Sequence, residues 1–82
     1  MDDLERETLD ILRMGPETLD ELAGMYAAAD EVRLTARGGS VRAGTEDVVR
    51  RLAERGLVAQ AGPASGWQLT DTGRRLAGER TG

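Results

Sequence analysis

Cysteine, histidine and lysine are all missing from this chain of 82 residues, and its aromatic content is one Trp and one Tyr. No thiol means no disulfide framework. With neither thiolate nor imidazole there is no ordinary zinc site, and no Cys or His can act as nucleophile or base. A carboxylate-only site is left, but the acids fall in solvated helical patterns and a domain this small has little room for a cleft, so no enzyme is expected. No apolar run approaches the roughly 20 residues that span a bilayer, and no signal-peptide pattern opens the chain. The expectation is one cytoplasmic domain over 1–82 with one modest core, no membrane contact, no cofactor and no metal.

Every basic residue is Arg. The codon usage of a GC-rich genome accounts for this, and so does selection for bidentate contacts to phosphate and guanine; composition does not separate the two. The formal net charge of −4 argues against a nucleic-acid partner until it is divided along the chain. Residues 1–31 hold ten acids and two Arg, whereas 32–82 hold five acids and nine Arg. An acidic first half and a basic second half are compatible with DNA binding, because the local field steers association more than the total does. Acidic helices that only keep the protein soluble would look the same.

Leu4, Thr8, Ile11 and Leu12 fall at helical spacing, which predicts a first helix over about 3–14 with acids at its positive end. Gly15-Pro16 stops it. Thr18 with Glu21 forms a capping box for a second helix over about 18–29, carrying Leu19, Leu22, Ala23 and Tyr26 on one face. Val32, Leu34 and Ala36 then alternate with polar residues, a weak strand signal that Gly38-Gly39-Ser40 breaks. Arg33, Arg37 and Arg42 fall in this stretch, as solvated loop charges or as phosphate contacts.

A third helix is expected over about 45–55, with Thr45 as N-cap and Gly56 just past its end. Val48, Val49 and Leu52 form its buried stripe. Arg50, Arg51 and Arg55 lie on its other faces with Glu46, Asp47 and Glu54. Glu46–Arg50 and Asp47–Arg51 are i,i+4 pairs in the favoured order, each worth about 0.2–0.5 kcal/mol. A bidentate contact from either Arg to a base is worth about 1–3 kcal/mol. Paired strands follow over about 57–60 and 67–70, with Leu57 and Ala59 on one face and Trp67 and Leu69 on one face. Trp67 is expected in the core. Residues 61–66 form an uncharged hairpin tip, and Thr70 caps a last helix over about 71–77. The residues from Gly78 onward are expected to fray.

This order, mainly α with a small β-hairpin (α+β), is that of a winged helix-turn-helix: a three-helix core, a two-stranded wing and a short C-terminal helix. Nearly the whole chain resembles the winged-helix transcription regulators of bacteria and archaea, most closely the PadR-like group, with the MarR-like and ArsR-like groups as further relatives. The resemblance rests on ILRMGP at 11–16, GT at 44–45, VVRRLAERGLV at 48–58 and WQLTDTGRRL at 67–76. Such regulators are typically homodimers on palindromic operators, with the third helix in the major groove and the wing near the minor groove. The resemblance implies Thr45 and its neighbours at the groove, with Arg50, Arg51 and Arg55 along the helix or its backbone-facing edge.

The expected function is therefore that of a small regulator binding double-stranded DNA, with loop arginines and Arg74 and Arg75 of the last helix neutralising phosphates. The alternative keeps the fold and drops the DNA, leaving an interaction module or adaptor for a protein partner. The uncharged wing tip and the acids on the third helix favour that alternative. Whether the chain pairs with a second copy or binds a small-molecule effector is left open by the residues.

Overall fold

A computed structural model describes residues 2–62 and 66–79, and it is mostly helical with one two-stranded antiparallel hairpin. The first helix, α1 (Asp3–Leu12), begins at a reciprocal cap. Asp2 accepts from the Glu5 amide at 2.9 Å, and Glu5 accepts from the Asp2 amide at 3.0 Å. It ends before Gly15, whose φ of 143° suits a residue without Cβ. Its inner face buries Leu4, Thr8, Leu9, Ile11 and Leu12.

The second helix is much shorter than its sequence pattern suggests. The Thr18–Glu21 capping box is present, but α2 (Leu19–Ala23) stops at Gly24 instead of running to Ala29. Tyr26 explains the break. Its hydroxyl shares a buried hydrogen bond with Thr8 of α1, and the chain leaves the helical path after Gly24 with that ring buried.

A further helix, α3 (Ala28–Gly38), stands where the alternation of Val32, Leu34 and Ala36 suggested a strand. Only Leu34 of the three is buried, and Val32 is 71% exposed. Five alternating residues also fit a helix whose single buried residue faces a neighbour, and Asp30 and Glu31 in its first turn complement the dipole. Gly39, at φ 91°, closes it in the left-handed conformation.

The next helix starts four residues earlier than expected. In α4 (Val41–Glu54), Ser40 is the N-cap, accepting from the Ala43 amide at 3.1 Å. Thr45, expected as the cap, lies inside the helix and is fully buried, its hydroxyl donating to the Val41 carbonyl at 2.8 Å. Gly44 obscures the true start, since glycine weakens a helix interior by about 1 kcal/mol relative to alanine. Packing accounts for its presence: a Cβ on Gly44 would collide with the backbone of Leu34, and one on Gly38 with the backbone of Ala43 and Gly44. The two glycines let α3 and α4 cross in close contact.

Arg55 and Gly56, the latter at φ 74°, lead from α4 into the hairpin. Strand β1 (Val58–Gly62) pairs antiparallel with β2 (Gly66–Leu69), matching Val58 with Leu69 and Gln60 with Trp67, with an irregularity between Gln60 and Gly62. Glu17 extends the sheet by an isolated bridge, exchanging two backbone hydrogen bonds with Trp67 at 2.7 and 3.0 Å. Leu57 and Val58 are both buried while Ala59 is exposed, so the expected sharing of a face by Leu57 and Ala59 does not hold. Leu57 lies before the strand. There its amide donates to Leu52 and its carbonyl accepts from Thr70, outside the strand's alternation.

Thr70 caps α5 (Asp71–Glu79), accepting from the Gly73 amide at 3.1 Å. Gly78, expected to fray, is helical. The expected tip residues Pro63, Ala64 and Ser65, and the final residues 80–82, lie outside the described residues. The core is built around Leu9, Leu22, Leu34, Val48, Val49 and Leu52, with Trp67 partly buried against it. Among the described residues no helix is long and apolar enough to cross a membrane.

Candidate functional site

The outer face of α4 follows from its buried stripe. Gly44, Thr45, Val48, Val49 and Leu52 face inward, which turns Arg42, Glu46, Arg50, Arg51 and Glu54 to solvent. The side chains of Arg42, Arg50 and Arg51 are each more than half exposed. Thr45 does not belong to this face. Its hydroxyl is spent on its own helix and its side chain is enclosed, so the structure corrects its expected place at a groove.

The predicted arginines lie on α3 and α4 or at the end of α4, each against an acid. Asp47 is the centre of the largest group. Its carboxylate accepts from Arg50 at 2.5 Å and from Arg51 at 3.0 Å, and Arg37 of α3 lies 3.6 Å away. Partial desolvation pushes the Asp47 carboxyl up, but the hydrogen bonds and charges of Arg50 and Arg51 outweigh it and hold the group below the usual carboxylate range.

Arg37 reaches on to Asp2 at 2.7 Å. Asp2 is lowered in the same way: desolvation opposes, while the Glu5 amide and Arg37 prevail. Arg33 stands 3.7 Å from Asp3, and Arg55 donates at 3.2 Å to the buried Glu5. Arg42 pairs with Asp20 at 3.1 Å on the opposite edge of α4.

This arrangement has an electrostatic consequence. The acidic and basic halves of the sequence are separated along the chain and brought together in space, because the start of α1 lies against α3 and α4. Asp2, Asp3, Glu5 and Asp47 neutralise most of the charge of Arg33, Arg37, Arg50, Arg51 and Arg55. The central role of Asp47 was visible only in part: the i+4 spacing to Arg51 is in the sequence, whereas the contact with Arg37 depends on the α3–α4 crossing.

Beside this face runs a groove of about 550 Å³, floored by Leu19, Ala53 and Trp67 between α2, α4 and the hairpin. Single-sequence patterns carry no signal for it, because its walls come from three separate segments. No family model, curated protein or solved structure matches this chain.

Proposed function

We propose that this chain is a winged-helix protein of PadR-like type that binds double-stranded DNA in the cytoplasm and regulates transcription without chemistry of its own. In this reading α4 enters the major groove, the hairpin is the wing, and the bridge at Glu17 is the short strand that ties the wing to the helices. The observation that carries it is the solvent-facing length of α4, with Arg42, Arg50 and Arg51 held there only by exposed ion pairs. Such pairs contribute about 0.2–1 kcal/mol each, whereas a bidentate base contact is worth about 1–3 kcal/mol. In this reading a duplex draws these side chains away from their weak pairs. Arg37, and Arg55 at the helix end, are engaged by α1 through better enclosed pairs, which gives them a bracing role; Arg33, whose pair with Asp3 is as exposed as that of Arg42, stays open to phosphate.

The test is selection from a pool of random duplexes, followed by fluorescence anisotropy on the enriched sequence. Binding should weaken steeply with added salt, because phosphate neutralisation releases counterions. The double variant R50A/R51A should lose binding with its circular dichroism unchanged. Enrichment of no sequence at low salt, or undiminished binding by the double variant, overturns the reading.

A second reading is favoured by one observation: the arginines of α3 and α4 have acidic partners, while Glu46 and Glu54 on the same exposed face of α4 have none among the described residues. On that balance the domain acts as a protein-interaction module. Retention on heparin at moderate salt separates the two, favouring DNA where it occurs and the interaction module where it fails.

A further inference from the structure

The groove beside α4 has a charge pattern that suits a ligand opposite in kind to DNA. Its floor is apolar, formed by Leu19, Ala53 and a half-buried Trp67, and its rim carries Glu46, Arg50 and Glu54 from successive turns of α4. Arg50 is engaged by Asp47. Glu46 and Glu54 are exposed and have no ion pair among the described residues.

Eight residues of helix separate those two carboxylates, about 12 Å along the axis at 1.5 Å per residue. Four residues of extended chain cover about 13 Å, and side chains at the first, third and fifth positions point to one side. The spacings match. The rim thus reads negative, positive, negative along a line, beside a floor that offers an indole and two aliphatic side chains.

We propose that this groove binds an extended segment of a partner protein that carries two basic side chains four positions apart with an apolar side chain midway. The basic groups meet Glu46 and Glu54, and the apolar one between them packs on Trp67 and the aliphatic stem of Arg50, whose guanidinium is held by Asp47. The inference goes beyond the DNA reading and stands whether or not that reading holds.

Trp67 is the chain's single tryptophan, so its emission reports the groove directly. The probe is a capped seven-residue peptide with two arginines four positions apart and a leucine midway, titrated into the whole chain. A saturable change in emission is expected. The double variant E46Q/E54Q should weaken binding about three- to tenfold, the effect of losing two surface charge pairs. The double variant E7Q/E31Q removes the same charge from α1 and α3, and it should leave the affinity within about twofold. A peptide with glutamates in place of the arginines should not bind.

Three results overturn the proposal. They are no emission change up to about 5 mM peptide; equal weakening by both double variants, which means attraction to net charge alone; and equal binding of the glutamate peptide.

Discussion

Asp47 accepts a hydrogen bond from Arg51 at 3.0 Å on the solvent-facing side of α4, and Arg50 donates to the other oxygen of the same carboxylate. One acid therefore occupies the two arginines that the DNA reading needs. Under that reading Asp47 competes with phosphate, and D47N should raise affinity for a selected duplex about two- to tenfold at low salt, the scale of exposed ion pairs. Anisotropy titration of the two proteins measures it. A weaker D47N complex would mean instead that Asp47 orients the arginines for their contacts, and an unchanged one would place DNA elsewhere on the molecule.

The same carboxylate ties stability to pH. Asp2 and Asp47 both have lowered folded-state values and share Arg37. A depressed carboxylate contributes stability that is fully present above its unfolded value, about 3.9, and is lost as pH falls through the folded one. Urea midpoints should therefore hold steady from neutral pH to about 5 and drop below about 4. In D2N/D47N the fall should be visibly shallower. Asparagine at position 2 still caps α1, so the variant removes the two charges and the arginine contacts of one oxygen at each site; an equally steep fall in the variant would assign acid sensitivity to other groups.

The parts of this fold legible in the sequence are those fixed by short-range chemistry. The Thr18–Glu21 cap, Gly56 after α4, the hairpin and the Thr70 cap all depend on residues within a few positions of each other. The stretch from Gly24 to Thr45 did not read correctly, because distant partners decide it. Tyr26 is drawn out of α2 by Thr8, Leu34 is buried by α4, and Gly44 sits inside a helix because α3 crosses there. The candidate site divides the same way. Arg50 and Arg51 on one exposed helical face followed from periodicity, whereas the neutralising contacts from α1 depend on where α1 lands.

The α3–α4 crossing makes a prediction of opposite signs for two glycines. Alanine ordinarily improves a helix by up to about 1 kcal/mol over glycine. At Gly44 the added methyl meets the Leu34 backbone, which has no flexible end to yield, whereas at Gly78 in α5 it meets nothing within 4 Å. G44A should destabilise by about 1–3 kcal/mol, the range for forced overpacking. G78A should be neutral or stabilising. Thermal or urea unfolding of both variants gives the comparison, and a stabilised G44A would show that the two helices do not cross in close contact at this glycine.

Tyr26 supplies the last test, since it is the chain's single tyrosine and its titration can be followed alone near 295 nm. Burial pushes its phenol up to about 12; the Thr8 hydrogen bond acts in the opposite sense, and Asp30 and Glu7 add to the rise. A raised acid contributes stability that is complete below its unfolded value near 10 and disappears as pH climbs through the folded one. Tyrosinate absorbance should therefore appear late and together with alkaline unfolding. Y26F should lower stability at neutral pH by about 1 kcal/mol, the usual net value of a lost hydrogen bond, because Thr8 keeps its bond to the Leu4 carbonyl. Ionisation near pH 10 in a chain still folded by circular dichroism would place the ring in solvent, and burial of Tyr26 against Thr8 would then not be what ends α2 at Gly24.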